Sequence, residues 1–273
     1  MPEVLVLGAT GTTGSRVADI LRRDGCGVRS ATRTPRDVGQ VYFDWADRQS
    51  HTRALDGVTA VYLVAPVGVA DPAPVVEPFL RAGVSSGVRR VVQLSSSALP
   101  EGTPGLGEVH HLVRTIMPEW AVLRPSWFMQ NFTGEHAVAQ GVRAGEIVTA
   151  TGAGRVAFID ADDIAAVAAR ALTDAVPHNT EHLITGPEAL SYGEAAAVLA
   201  RHVGHPVRHL PVSADDYAAH IADTGVPQDF AEILAALDVD IAHGAEDRVT
   251  RTVYDVTGRS ATTFEQFCAR SFC

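Results

Sequence analysis

Glu3-Val4-Leu5-Val6-Leu7-Gly8-Ala9-Thr10-Gly11-Thr12-Thr13-Gly14 decides the fold of this chain. A short apolar run ends in three glycines spaced G-x-x-G-x-x-G, and an amphipathic stretch over residues 15–23 follows at once. The order is strand, glycine-rich turn, helix. Gly8 permits the tight turn. A bare backbone at Gly11 lets a pyrophosphate approach, and Gly14 lets helix and strand pack closely. The N–H groups of the first helical turn then meet the phosphate charge. A tight strand-to-helix turn also needs glycine for structural reasons alone, so the motif counts through its context. That context predicts a dinucleotide-binding domain.

Working outward, the sequence predicts strands at 27–32, 40–44, 60–65, 90–94 and 120–124, with helices at 49–55, 74–86 and 108–116 between them. Strands alternating with helices predict an α/β, doubly wound parallel Rossmann sheet, and apolar strands without polar alternation fit a sheet covered on both faces. After Pro125 the pattern changes. A helix is expected over 126–140 and a strand over 147–150. A helix over 164–172 is expected to be capped by Asp162 and Asp163, and a further strand covers 182–185. Ser191 caps a helix from 192, and 214–258 reads as mostly helical. The expected division is a core over 1–155, with a strand and helix around 156–187 returning to it, and a smaller, mostly helical C-terminal substrate lobe over 188–273.

The 273 residues are enough for such a core with a lobe. Net charge is −10 and the pI is near 5.5, which argues against a nucleic-acid partner. No apolar run reaches the ~20 residues of a membrane span, so a soluble, cytoplasmic protein without membrane contact is expected. Cys26, Cys268 and Cys273 form neither a metal spacing nor a disulfide framework. His178 and His182 are four apart, as are His205 and His209, but neither pair lies on a helix face, so no metal is expected. Oligomeric state is left open. All 22 basic residues are arginine. The absence of lysine excludes a lysine Schiff base, a Walker-type phosphate lysine and a Tyr-x-x-x-Lys catalytic pair.

Arg33 stands where the second strand ends, with no carboxylate between residues 28 and 35. An acidic residue there would take a ribose 2′-hydroxyl, whereas an arginine suits a 2′-phosphate. A solvated arginine is the plain alternative, and Arg36 is a rival. Asp44 is either an adenine acceptor or a turn former. Ala65 and Pro66 end the fourth strand beside the adenosine path. Ser95 and Ser96 end the fifth, where a nicotinamide is expected, although serines there are often turn formers. Glu108, His110 and His111 lie on the next helix. Histidine can donate a proton near neutral pH, but His110 and His111 cannot both face one way. Asp160, Asp162 and Asp163 read as helix capping more than as a carboxylate site.

Taken together, G-A-T-G-x-x-G, Arg33 and the segments L-R-P-S-W-F-M-Q-N-F (123–132), F-I-D-A-D-D-I-A (158–165) and L-I-T-G-P-E-A-L-S-Y (183–192) resemble the NmrA-like branch of atypical short-chain dehydrogenases. Gly107-Glu108-Val109-His110 resembles a G-K-V-H segment of the ergot-alkaloid reductases, with Glu108 in place of their lysine. The resemblance implies an NADP(H)-binding core. Gly8, Thr10, Gly11, Thr12, Thr13 and Gly14 would hold the phosphates, Arg33 the 2′-phosphate, and Pro125 to Phe128 would pass near the nicotinamide. Trp127, Phe128, Asn131 and His111 are candidates for substrate contact, and His110, Ser96 and Glu108 for catalysis. Members of that branch reduce iminium ions, quinones or dyes, and some are regulators. The expectation is an NADPH-dependent reductase of a small, pre-activated electrophile in secondary metabolism. The alternatives are an NADP(H)-sensing regulator without turnover, or a non-redox cyclase or isomerase.

Overall fold

The computed structural model describes residues 3–272. In chain order the elements begin β1 (Glu3–Val6), α1 (Thr12–Arg23), β2 (Gly27–Thr32), β3 (Gln40–Tyr42), α2 (Arg48–Leu55), β4 (Ala60–Leu63), α3 (Ala73–Ser85), β5 (Arg90–Leu94), α4 (Leu106–Ile116) and β6 (Glu119–Pro125). A 3-10 turn over Met129–Phe132 precedes α5 (Ala137–Ala144), β7 (Glu146–Thr149), β8 (Arg155–Val156), α6 (Ala161–Thr173), β9 (Thr180–Ile184) and β10 (Leu190–Ser191). There follow α7 (Tyr192–Val203), β11 (Arg208–Pro211), α8 (Ala214–Ala222), α9 (Gln228–Ala242), α10 (Thr252–Thr257) and α11 (Phe264–Ser271).

Two units share this chain. The first takes residues up to Pro125, Ala161–Leu183 and Asp255–Gly258; the second takes Ser126–Asp160, Ile184–Tyr254 and Arg259–Cys273. The first unit is built on a seven-stranded sheet of order β3-β2-β1-β4-β5-β6-β9. The pairs β1–β2, β2–β3, β1–β4, β4–β5 and β5–β6 are parallel. The chain walks outward from β1 to β3, then returns to lay β4 on the other side of β1. Their carboxyl ends diverge at that reversal, where open sheets form a ligand crevice.

The strands are apolar on both sides because helices cover both. Leu5, Leu7, Val61, Leu63, Val91 and Val122 join one buried cluster with α2, α3 and α4. The alternate residues Val4, Val6, Tyr62 and Val92 are equally buried, and α1 and α6 pack together, with α6 lying against β4, β5 and β6. The amphipathic spacing that forms α1 is visible in its buried Val17, Ala18 and Leu21.

The second unit is organised differently. β7 pairs in parallel with β11 and β8 antiparallel with β10. An aromatic core of Phe132, Phe158, Tyr192 and Phe264 holds it, with ring centroids 4.9–5.9 Å apart. Ser191 starts α7 with a reciprocal capping box to Glu194, and Thr263 starts α11 in the same way with Gln266.

Three expectations change. Residues 126–140 are not one helix: Phe128 bridges to Ile159, a 3-10 turn follows, and α5 begins only after Gly134 turns the chain at φ +68° and His136 caps Val138. The division falls at Pro125 rather than 155, because 126–160 bury Met129, Phe132, Ile147 and Phe158 with α7 and α11. α6 starts at Ala161 rather than at Ile164, so Asp162 and Asp163 lie inside its first turn. Asp162 accepts from Arg16 Nε at 2.6 Å, while Asp160, in the second unit, takes Gln130 at 2.8 Å and Arg270. Cys273 lies outside the described residues.

Candidate functional site

The glycine turn has the geometry that an approaching phosphate requires. Gly8 sits at φ +62°, a conformation that penalises any side chain. A Cβ on Gly14 would stand 2.2 Å from the Gly8 carbonyl oxygen, and one on Gly11 would stand 3.3 Å from it. Gly11 is the N-cap of α1 and supplies no side-chain bond to the first turn, which also holds no acidic residue. The Gly11 N–H donates to the Gly8 carbonyl at 2.8 Å, and the N–H groups of Thr12, Thr13 and Gly14 are those that a helix start leaves without an intrahelical acceptor. Thr13 does not offer its hydroxyl as freely as the motif suggests, because Tyr62 Oη donates to Thr13 Oγ1 at 3.0 Å.

A cleft of about 700 Å³ opens at the carboxyl ends of the strands around the β1/β4 reversal. Leu7, Gly8 and Thr10 line it after β1, Thr32, Arg33 and Thr34 at the end of β2, Phe43, Asp44 and Trp45 after β3, and Ala65, Pro66 and Val67 after β4. Arg33 lies on the wall and Arg36 does not, which separates the two rivals. Among the described residues Arg33 has no carboxylate partner, so its guanidinium is available to a ligand. Asp44 forms a turn at the cleft's edge. Its Oδ1 accepts from Ala46 N–H at 2.9 Å, closing a turn, and the residue still lines the cleft.

Sequence reasoning missed the rigid wall behind Asp44. His51 on α2 donates from Nε2 to the Asp44 carbonyl at 3.0 Å and stacks on Phe43 at 4.9 Å. Trp45 and Phe79 pack edge-on against them at 5.1–5.7 Å. Burial lowers the His51 pKa, outweighing the bond to Asp44, so the ring stays neutral inside this wall. The signal was the buried pairing of Ser50 and His51 with Ala54 and Leu55 on α2, one helical turn on.

The remaining candidates do not line this cleft. Ser95 and Ser96 end β5, with Ser95 Oγ buried and unpartnered. His110 is 2% exposed under α4. Its Nδ1 faces Glu181 at 3.8 Å without a hydrogen bond, and burial lowers its pKa against the opposing pull of Glu101 and Glu181. Arg124 frames it, donating to Glu181 at 3.0 Å and to the Ser96 and Ser97 carbonyls at 3.3 and 2.8 Å. Glu108 and His111 lie in a separate groove beside Asp71 and Glu77, where His111 meets Glu101 at 3.0 Å. Pro125 closes β6, while Trp127, Phe128 and Asn131 belong to the second unit and are partly buried there.

His178 and His182 meet although they share no helix. His178 Nδ1 and His182 Nε2 are hydrogen-bonded at 2.8 Å, with ring centroids 5.0 Å apart and ring planes at 79°. Asp174 takes the far side of His178 at 3.1 Å. Among the described residues no group of three or more His, Cys, Asp or Glu side chains could hold a metal, and no helix is long and apolar enough to cross a membrane.

The crevice, the glycine turn and the arginine at the end of β2 lie together at the reversal of a doubly wound α/β sheet. The chain belongs to the NmrA-like family, whose model matches residues 2–267. It is similar to the uncharacterised oxidoreductase YesF of Bacillus subtilis, at 47% identity over 97% of this chain and 94% of that protein. It is also similar to the agroclavine dehydrogenase of Claviceps fusiformis, at 35% over 97% and 95%. Among solved structures, the NADPH-dependent quinone oxidoreductase QOR2 of Escherichia coli, complexed with NADPH, superposes with a TM-score of 0.83 at 23% identity, covering 99% of this chain and 100% of that one.

Proposed function

We propose that this chain is an NADPH-dependent reductase of a small, pre-activated electrophile: an iminium ion, a quinone or a conjugated enone. The observation that carries the reading is the cleft itself, with a free guanidinium, Arg33, at the position that selects between a ribose hydroxyl and a 2′-phosphate. The relatives named an oxidoreductase and a dehydrogenase, and the fold shared with a quinone oxidoreductase, support oxidoreduction.

The residues fit NADP(H). The crowded, side-chain-free turn of Gly8, Gly11 and Gly14 and the uncapped start of α1 suit a pyrophosphate. Thr10, Thr12 and Thr13 would add donors from the same turn. Asp44 and the Phe43–Trp45 wall suit adenosine, with Ala65 and Pro66 on its far side, and Arg33 suits a 2′-phosphate. Ser95, Ser96, Pro125 and Phe128 remain our candidates toward the nicotinamide, and His111, Trp127, Phe128 and Asn131 toward substrate. When bound, the cofactor supplies the hydride.

The electrophile class follows from what the chain lacks. It has no lysine and so no Tyr-Lys pair. His110 is buried and held neutral, which suits it poorly to act as an acid at pH 7. A simple ketone reduced without a protein acid would gather full negative charge on oxygen. An iminium ion becomes neutral on hydride addition and needs no proton at that step, while a quinone or enone spreads the charge. The test is NADPH oxidation with matched cyclic iminium, quinone and saturated ketone substrates. The iminium and quinone should be reduced well ahead of the ketone. A ketone reduced fastest would overturn the electrophile class, and cofactor bound but never oxidised would turn the reading toward a sensor.

A further inference from the structure

Tyr62 presents a hydroxyl where a phenyl ring would serve packing as well. It lies on β4 in the middle of the sheet, is fully buried, and is hydrogen-bonded through its backbone to Leu7. On its side of the sheet it meets apolar neighbours, Val6 of β1 among them. Burying a hydroxyl costs free energy unless it finds a partner. Its partner is Thr13 Oγ1 at 3.0 Å, and burial drives the phenol far above its ordinary pKa, so it remains a donor.

Thr13 is the second residue of α1, directly after the Gly8–Gly11 turn and before Gly14. Two of the turn's residues are glycine and the helix has no side-chain cap, while Ser15 Oγ and Arg16 Nη1 hold the Gly11 and Thr12 carbonyls at 2.8 and 2.7 Å. Those bonds hold carbonyls, and Tyr62 adds a bond that ties the first turn of α1 to β4. We infer that Tyr62 is a positioning residue for the pyrophosphate: its hydroxyl, through Thr13, braces the first turn of α1 against β4 and so aims the turn's N–H groups into the cleft. The inference rests on the dinucleotide reading of that cleft. Accepting from Tyr62 also leaves the Thr13 hydroxyl proton directed by the tyrosine rather than free to rotate.

The test uses the full chain with two ligands. NADPH spans the pyrophosphate, whereas 2′-AMP fills only the adenosine end. Binding is followed through the fluorescence of Trp45 in the cleft wall. Tyr62→Phe and Thr13→Val should each weaken NADPH by about three- to tenfold, and the double variant should be no weaker than the worse single one. Thr13→Ser keeps the hydroxyl and should stay within about twofold of the parent, as should 2′-AMP in every variant. If either single variant leaves NADPH affinity unchanged, or if 2′-AMP weakens as much as NADPH, the brace is wrong and Tyr62 is core packing. A parent chain that binds neither ligand overturns the dinucleotide reading, and the brace with it.

Discussion

Glu119 in the first unit and Asp238 in the second are both acids withdrawn from water, and they end in opposite states. Burial pushes Glu119 upward, but Arg90 at 2.8 Å and Arg89 at 3.2 Å outweigh it and hold its pKa below the usual carboxylate range. Asp238 is 4% exposed beside Tyr192, Tyr217 and Ala150, with no ion-pair partner among the described residues. Burial pushes it up to about 7, against the single lowering bond from Ala150 N–H at 2.9 Å. Glu119 is compensated by its arginines, as Asp160 of the second unit is by Arg270. The second keeps a near-neutral acid inside its own core. A buried charge alone is therefore a poor guide to where this protein handles ligands; a free guanidinium on a cleft wall is a better one.

Glycine sharpens the comparison most. Gly14 in the first unit and Gly186 in the second are equally intolerant of a side chain: a Cβ would stand 2.2 Å from the Gly8 oxygen in one and 1.9 Å from the Phe158 oxygen in the other. Both obstacles are backbone, so neither can swing aside. Gly14→Ala should weaken NADPH by about a hundredfold or more and cost about 1–3 kcal/mol of stability. Gly186→Ala should cost stability to a similar extent yet leave NADPH affinity within about threefold. Calorimetric unfolding and fluorescence titration on both variants decide it. Equal loss of affinity would mean that the cleft depends on the second unit's packing.

Acid and base then separate the units. Asp238 has a folded pKa near 7 against an ordinary 3.8, so the stability linked to it is present below pH 3.8 and is lost as pH rises through 7. His182 in the first unit is lowered from 6.5 to about 4, by burial and then by His178. Its contribution is present above pH 6.5 and is lost as pH falls through 4. Between pH 4 and 6.5 the two slopes oppose each other. Asp238→Asn should stabilise the protein at pH 8 by about 2–4 kcal/mol and make its acid sensitivity steeper. His182→Gln should flatten the acid limb by up to about 3 kcal/mol between pH 6.5 and 4. Urea titrations across that range test both. A pH-independent difference for Asp238→Asn would show that its carboxyl is ionised throughout.

How much of this could be read in the residues follows the same division. The glycine turn, the strand–helix alternation through 124 and the cleft positions Gly8, Thr10, Arg33, Asp44, Ala65 and Pro66 were legible. Each depends on a local rule: φ at a glycine, period in a strand, or the last residue of a strand in a known order. The stretch 126–140 was misread as helix because its apolar spacing suits one, while a bridge to Ile159 and the turn at Gly134 override it. His51, Tyr62 and Asp238 carry no signal of their own in the sequence, because their surroundings come from other elements. His178 and His182 meet across a turn, a contact that a spacing of four outside a helix does not announce. Tertiary placement leaves no period in the sequence.

Arg33 offers a smaller but cleaner effect. Its guanidinium is exposed on the cleft wall, so removing it should leave the fold intact. Arg33→Ala should weaken NADPH about tenfold or more while leaving NADH unchanged, since only NADPH carries the 2′-phosphate. Arg36→Ala should do neither. Equal affinity of the parent for both cofactors would remove the argument for NADP(H).

The smallest expected effect is the most pointed, because it concerns the residue the sequence favoured as proton donor. His110 has the right helix, but it is buried, its Nδ1 faces Glu181 across 3.8 Å, and its pKa lies below 6.5. At pH 7 it carries no proton to give beyond the one that makes it neutral. An iminium ion asks for none at the hydride step. His110→Phe should therefore change turnover of a cyclic iminium by less than about threefold and leave its pH profile in place, since general acid catalysis would be worth about a hundredfold or more. Glu181→Gln removes the nearest carboxylate and should be equally silent. If His110→Phe instead loses about a hundredfold and the pH limb vanishes, the imidazole reaches the reacting atoms after all. The substrate class must then be widened to electrophiles that need an acid.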